Sequence, residues 1–362
     1  MFSIYNNQDL MDQLIAAHNS KKLHHANLIY GGAGEDPLPV ALSLAAMLLC
    51  ETETACGTCR NCKRVEKLEH PDLNFTFPFV SGGNSGTSDD FLQDFRRAVL
   101  KNPFLDPDSW QRQITSKNQQ LQIPVKEIQN LQQKLSLTAA EGGNRVLIIW
   151  MPEQIKTTAS NKLLKLIEEP LPNTFIVLVS HGKNKLLPTI VSRCAPWSCK
   201  PLDDNSFTEH FQSSPEQTSK LLSMVFAPNL GAAITAYDDP ESTQIDRFAE
   251  WMRICYKGIP TEITAAVNDL STLPKETVKT LILRSLHFLE RGFYHNVQDT
   301  PNSATDLGAI NVQKLSGAVV PKGTFGITSS LGACLNDLER NVHVKTTLTH
   351  TSYALHRAFR GN

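Results

Sequence analysis

Leu10, Leu14 and Ile15 recur at helical spacing within residues 8–18, with Asp9 near the start, and predict an amphipathic helix. Residues 26–30 form a short apolar run that ends in Gly31-Gly32-Ala33-Gly34, and residues 40–49 are apolar almost throughout. That order predicts a strand, a tight turn and a buried helix, the opening of a nucleotide-binding βα unit. Leu73, Phe75 and Phe77 alternate across 72–77, as a strand requires. Gly and Ser crowd 81–88 and predict a loop, with an inserted helix over 91–100. Pro124 opens a helix whose Val125, Ile128, Leu131 and Leu135 share one face. Residues 145–150 and 175–179 are continuous apolar runs, read as buried strands, and 159–169 between them is a helix stopped at Pro170. Strands alternating with helices predict a parallel sheet covered on both faces.

After Pro201 the strand signal fades and helical patterns take over, notably at 245–256, 275–294 and 331–359, with a small-residue polar loop at 299–305. The expected organisation is an α/β domain over 1–199 with an insertion at about 81–120, a small helical lid over 200–242, and an all-helical domain over 243–362. No internal repeat is evident.

Length and composition agree with this division. A chain of 362 residues exceeds one domain of ~100–150. The hydrophobic fraction of 41% and charged fraction of 20% are those of an ordinary globular protein. The apolar runs at 41–49 and 146–150 fall short of the ~18–20 residues that a membrane span needs, so no membrane partner is expected. Met1-Phe2-Ser3-Ile4-Tyr5 lacks a basic leader, which makes the cytoplasm the expected compartment. A net charge of -1 excludes a chain coated in positive charge, so nucleic-acid contact is local or shared with partner subunits. Arg96, Arg97 and Lys101 on the inserted helix, and Lys156, Thr157 and Thr158 ahead of the helix at 159, are the candidates. A solvated charged face accounts for each equally well.

Candidate chemistry enters at the glycine turn. A phosphate loop of the form G-x-x-x-x-G-K-[ST] needs amides around the phosphates, a lysine, and a hydroxyl on magnesium. Aligned on Gly31, the chain places Asp36 at the second glycine, Pro37 at the lysine and Leu38 at the hydroxyl position. The strand at 145–150 repeats the departure: Trp150 and Met151 stand where the magnesium-binding acid and its neighbour would follow. Glu153 could imitate the second acid only. The expectation is a chain that binds no ATP and catalyses nothing by itself. An ordinary βα turn is the alternative reading of this loop.

Cys50, Cys56, Cys59 and Cys62 are spaced C-x5-C-x2-C-x2-C. Four thiolates make a closed tetrahedral zinc site, structural rather than catalytic, and Arg60, Lys63, Arg64 and Lys67 are placed to offset its negative charge. A redox dithiol and an iron–sulfur cluster are the alternatives. Cys194, Cys199, Cys255 and Cys334 read as small buried fillers, and the adjacent His24 and His25 as packing or hydrogen-bonding residues.

Ala159-Ser160-Asn161-Lys162-Leu163-Leu164-Lys165-Leu166-Ile167-Glu168-Glu169-Pro170 resembles the N-A-L-L-K-x-L-E-E-P signature of the clamp-loader subunits of the AAA+ family. Leu186-Leu187-Pro188-Thr189-Ile190-Val191-Ser192-Arg193-Cys194 resembles that family's L-L-P-T-I-x-S-R-C motif. Leu23-His24-His25-Ala26, His70-Pro71-Asp72-Leu73 and Glu339-Arg340-Asn341-Val342 are similar to further family landmarks. The resemblance is strongest over 159–194. It implies an AAA+ α/β domain, a helical lid and a helical collar for oligomerisation. It also implies an arginine finger at Arg193, supported by Ser192 and Cys194, offered to the ATP of a neighbour, and zinc on the four cysteines. The implied partners are ATP-binding loader subunits of the gamma/tau type, a delta subunit, the sliding clamp and primer–template DNA. Retention of the Ser192-Arg193-Cys194 motif without either nucleotide motif is similar to the loader subunit that donates a finger and binds no productive nucleotide. An inactive AAA+ adaptor outside replication and a divergent active ATPase are the rival functions.

Overall fold

The computed structural model describes residues 2–32, 34–80, 86–115, 119–136, 143–238, 245–298, 306–307, 310–311 and 321–360. Ala33, most of the predicted 81–88 loop and the 299–305 loop lie outside the described residues. The chain forms two compact units: residues 1–206 with 228–232, and residues 207–227 with 233–362.

The first unit is built on five parallel strands, β1 (Ala26–Tyr30), β2 (Leu73–Thr76), β3 (Arg145–Trp150), β4 (Thr174–Ser180) and β5 (Ala195–Ser198), in the order β2-β3-β4-β1-β5. The central strands are apolar on both faces because both faces are covered. Ile29, Val146, Ile148, Trp150, Val177 and Val179 point into a core shared with helices α1 (Gln8–Asn19) and α2 (Pro37–Leu49). Their neighbours Leu28, Leu147, Ile149, Ile176 and Leu178 point the other way, beneath α6 (Val125–Ser136) and α7 (Thr157–Glu168). β5 carries Pro196, opposite Leu28. It pairs with β1 alone, and a residue without an N–H is tolerated on such an edge.

Several elements depart from expectation in ways that position the site. α2 begins at Pro37, a turn earlier than the predicted 40–49, because Asp36 turns left-handed (φ 46°) and proline is preorganised for the first helical position. All thirteen residues of this helix are buried. Ahead of β2 the chain adds α3 (Arg60–Glu66), and between β2 and β3 it adds α4 (Leu92–Lys101) and α5 (Pro107–Ile114) before α6. α5 was not legible as a helix in advance; Asp106 caps it by accepting from Ser109 N–H at 2.9 Å, and Pro107 starts it.

The second unit is mostly helical: α10 (Glu216–Phe226), α12 (Ile245–Lys257), α13 (Pro260–Leu270), α14 (Lys275–Gln298), α15 (Pro321–Glu339) and α16 (Val344–Arg360). A short antiparallel ladder of β6 (Asp306–Leu307) and β7 (Ile310–Asn311) falls within the stretch expected to be all-helical. α9 (Asp204–His210) and α11 (Leu230–Asp238) each have residues in both units. The helical pattern predicted over 331–359 is two helices, not one. Asn341 adopts φ 64°, a conformation that an α-helix cannot contain, and the chain reverses there. The two helices pack on each other, α15 also packs on α14, and α16 packs on α12, where Trp251 Nε1 donates to Ser352 Oγ at 2.8 Å.

Candidate functional site

The C-terminal ends of β1, β3 and β4 meet at the glycine turn. Gly31 N–H donates to Ser180 O at 3.1 Å, extending the β1–β4 ladder by one residue. The amide of Gly32 is taken by the chain itself: the Glu35 carboxylate folds back and accepts its N–H at 2.5 Å. A carboxylate therefore occupies an amide that a phosphate loop would offer to its ligand. Gly34 is left-handed (φ +82°), and a Cβ there would lie 2.6 Å from Pro228, so the turn is also closed sterically. Burial raises the Asp36 carboxyl to about 7, and the charges of Asp106 and Glu35 add to the effect. Pro37 and Leu38 are buried at the head of α2 and carry no group for phosphate or magnesium.

The end of β3 is occupied by hydrocarbon. Trp150 is fully buried, and its indole N–H donates to His181 Nε2 at 3.0 Å, one residue past β4. Its ring meets Phe95 of α4 at 5.6 Å and Trp110 of α5 at 6.4 Å. Phe77 completes the cluster, stacked on Phe95 at 4.1 Å. Met151 is also buried, in the left-handed region (φ 57°). Burial drives His181 down to about 4, so the ring is neutral and free to accept from the indole. Glu153 accepts from His181 N–H at 3.1 Å, and burial raises its carboxyl. Glu35, Asp106, Trp110 and His181 were not singled out in the sequence. Only Glu35 carried a signal, as an acid inside a glycine turn.

Arg193 stands on the exposed stretch between the short helix α8 (Pro188–Val191) and β5. Its Nη1 donates to Thr189 O at 3.0 Å and its Nε donates to Glu168 Oε1 at the end of α7. Ser192 is exposed and its hydroxyl donates to Thr189 O at 3.2 Å. Cys194 is buried, which pushes its thiol up to about 11, and it packs with Ile190 rather than reacting. An open cleft beside Arg193 is lined by His24, His25, Ile167 and Glu168. The two histidines are hydrogen-bonding residues: His25 Nε2 meets Ile167 O at 2.7 Å and His24 Nδ1 meets Ala26 O at 2.9 Å.

The four cysteines converge. Their Sγ atoms all lie within 4.8 Å of one another, so they are placed to hold a metal ion. Four sulfurs at ~2.3 Å from one centre would be about 3.8 Å apart. The observed separations are 3.7 Å for Cys50–Cys56, 4.0 Å for Cys50–Cys59 and 4.0 Å for Cys56–Cys62. Backbone N–H groups of Cys56, Cys59 and Cys62 point at the sulfurs of Cys50, Cys56 and Cys59 at 3.3–3.5 Å. Burial opposes ionisation of Cys50, but the Thr52 hydroxyl and the backbone amides outweigh it and lower the thiol to about 5. Cys56 is lowered to about 7 by the Thr58 hydroxyl and nearby amides. Burial raises Cys62, beside thiolates that compete for the same charge. Such a set fits a cation that neutralises all four. Asn61 Nδ2 donates to Leu49 O at 3.0 Å and ties this loop to the end of α2.

The basic candidates for nucleic acid do not form one cluster of contacts. Arg97 is exposed and pairs with Asp94 at 3.6 Å on α4, and Lys156 is exposed at the cap of α7.

The family described as DNA polymerase III, delta subunit, matches residues 6–203, more than half of the 362. The chain belongs to this family. DNA polymerase III subunit delta' of Bacillus subtilis is 29% identical over 246 residues, which is 67% of this chain and 60% of that protein. The delta' subunit of Pseudomonas aeruginosa is 29% identical over 214 residues, 59% of this chain and 54% of its own length. That of Haemophilus influenzae is 24% identical over 232 residues, 64% and 59%. The chain thus spans less than two thirds of the length of each of these relatives. The matched region holds the glycine turn, the four cysteines and Arg193. Among the described residues no helix is long and apolar enough to cross a membrane.

Proposed function

We propose that the chain is a non-catalytic, delta-prime-type subunit of the replicative sliding-clamp loader, which presents Arg193 to the ATP of a neighbouring subunit. One observation carries this reading. At the glycine turn Glu35 holds the Gly32 amide and Asp36 and Pro37 open α2, Trp150 is buried at the end of β3, and Arg193 on the family's motif is exposed. A guanidinium at a subunit edge neutralises charge building on a neighbour's γ-phosphate, an effect worth roughly 10³–10⁵ in rate in other systems. Zinc on Cys50, Cys56, Cys59 and Cys62 would supply a closed structural cross-link and no chemistry. The partners are ATP-binding gamma/tau-type subunits and a delta subunit, with the clamp and primer–template DNA met through the complex. The helical lid at 200–242 and collar at 243–362 would hold the subunit in the ring, in the cytoplasm at the replisome.

The test is reconstitution with the ATP-binding and delta subunits, followed by ATP hydrolysis and clamp loading with wild-type chain or Arg193→Ala. Hydrolysis should fall at the one site this subunit faces, at unchanged assembly. Failure to assemble with loader subunits would leave an adaptor outside replication. ATP turnover by the chain alone would leave a divergent ATPase.

A further inference from the structure

Arg193 is held before any partner arrives. Its Nε–H is taken by Glu168 and one Nη1 hydrogen by the carbonyl of Thr189 at 3.0 Å. The other Nη1 hydrogen and both on Nη2 stay available. Two anchors, one on Nε and one on Nη1, fix the plane of a guanidinium whose long side chain would otherwise sample many rotamers. Both anchors are themselves fixed. Glu168 ends α7, whose last turn is pinned where His25 Nε2 meets Ile167 O at 2.7 Å. Thr189 O belongs to α8, six residues ahead of Ala195, where the strand that pairs with β1 begins. The pair is open to solvent, at 40% and 46% exposure, so its contribution to folding is small. A core role does not explain it; orientation of the fork does.

We propose that Glu168 is a positioning residue for Arg193: it holds the Nε edge so that the Nη edge faces the phosphates of a neighbour's ATP. This rests on the finger reading above. Orientation set in advance lowers the cost of reaching the transition state without tightening ATP binding.

The test uses reconstituted loader complexes at matched assembly, with Glu168→Gln, Arg193→Ala and the double variant, and Glu169→Gln as a control on the adjacent exposed residue. Glu168→Gln should lower kcat for clamp- and DNA-stimulated hydrolysis about three- to tenfold, leave KM for ATP unchanged, and add nothing in the Arg193→Ala background. Glu169→Gln should match wild type. If Arg193→Ala has no effect, the finger reading fails and this proposal with it. If Arg193→Ala lowers hydrolysis but Glu168→Gln does not, positioning alone is overturned. Faster hydrolysis with Glu168→Gln would also overturn it, since the carboxylate would then be restraining the finger. An equal fall with Glu169→Gln, or a further fall in the double variant, would assign the effect to loss of charge at the end of α7.

Discussion

The indole N–H of Trp150 donates to Nε2 of His181 across 3.0 Å, joining the ends of two neighbouring parallel strands where a magnesium-binding acid would stand. The same ring packs against Phe95 and Trp110, so the insertion between β2 and β3 is docked on the end of β3. Trp150→Ala should cost about 3–5 kcal/mol, the range for truncating a fully buried aromatic. Trp150→Phe keeps most of the packing and removes the donor to His181, and should cost about 1–2 kcal/mol. Urea denaturation of the whole chain measures both; equal, negligible losses would mean the cluster does not hold the insertion.

Burial shifts Asp36 and His181 in opposite directions from their ordinary values. The folded Asp36 carboxyl sits near 7 against an ordinary 3.8, so it holds its proton more tightly in the folded state and lowers stability as pH rises through that window. The folded His181 sits near 4 against 6.5, so its contribution runs the other way: stability is present above 6.5 and lost as pH falls toward 4. The two slopes nearly cancel in the wild-type chain. Asp36→Asn tolerates the left-handed backbone and removes one of them. The variant's stability relative to wild type should rise with pH by up to ~1.4 kcal/mol per unit between about pH 4 and 7. A difference that stays flat across this range in denaturation curves would show that Asp36 is an ordinary acid.

Chain purified under reducing conditions without chelator should carry stoichiometric zinc. Cys59→Ser should lose most of the metal and lower Tm by roughly 5 °C or more, because metal binding and folding of so small a loop are coupled. Elemental analysis and a thermal melt decide it. Full stability of a metal-free chain would leave the four cysteines a redox site.

The isolated chain should show no magnesium-dependent ATP affinity by calorimetry. Pro37→Lys with Leu38→Thr should not restore it, since Glu35 still holds the Gly32 amide, Asp36 still faces the turn, and Trp150 still replaces the acid. Micromolar binding by either protein would remove the basis for calling this turn closed.

Much of the α/β unit was legible because its signals are local. β1 and β3 follow from apolar runs alone, and α1, α6 and α7 from spacing on one face, to within a few residues. The cysteine spacing already placed four thiolates together, since so short a segment has little freedom to separate them. That Pro37, Leu38 and Trp150 carry no group for phosphate or magnesium was equally readable, because it is a property of each residue by itself. What replaced the missing groups was not readable. Glu35 reaches Gly32 because the backbone turns back between them, Glu35 N–H donating to Gly32 O at 3.2 Å, and Trp150 finds His181 only because β3 and β4 are neighbours in the sheet. The fate of Arg193 was hidden for the same reason: twenty-five residues separate it from Glu168, and a strand and a helix must fold between them before the carboxylate and the guanidinium meet. Periodicity and motif depend on neighbours in sequence, whereas hydrogen bonds between strand ends and between helix ends depend on the order in which the sheet is assembled.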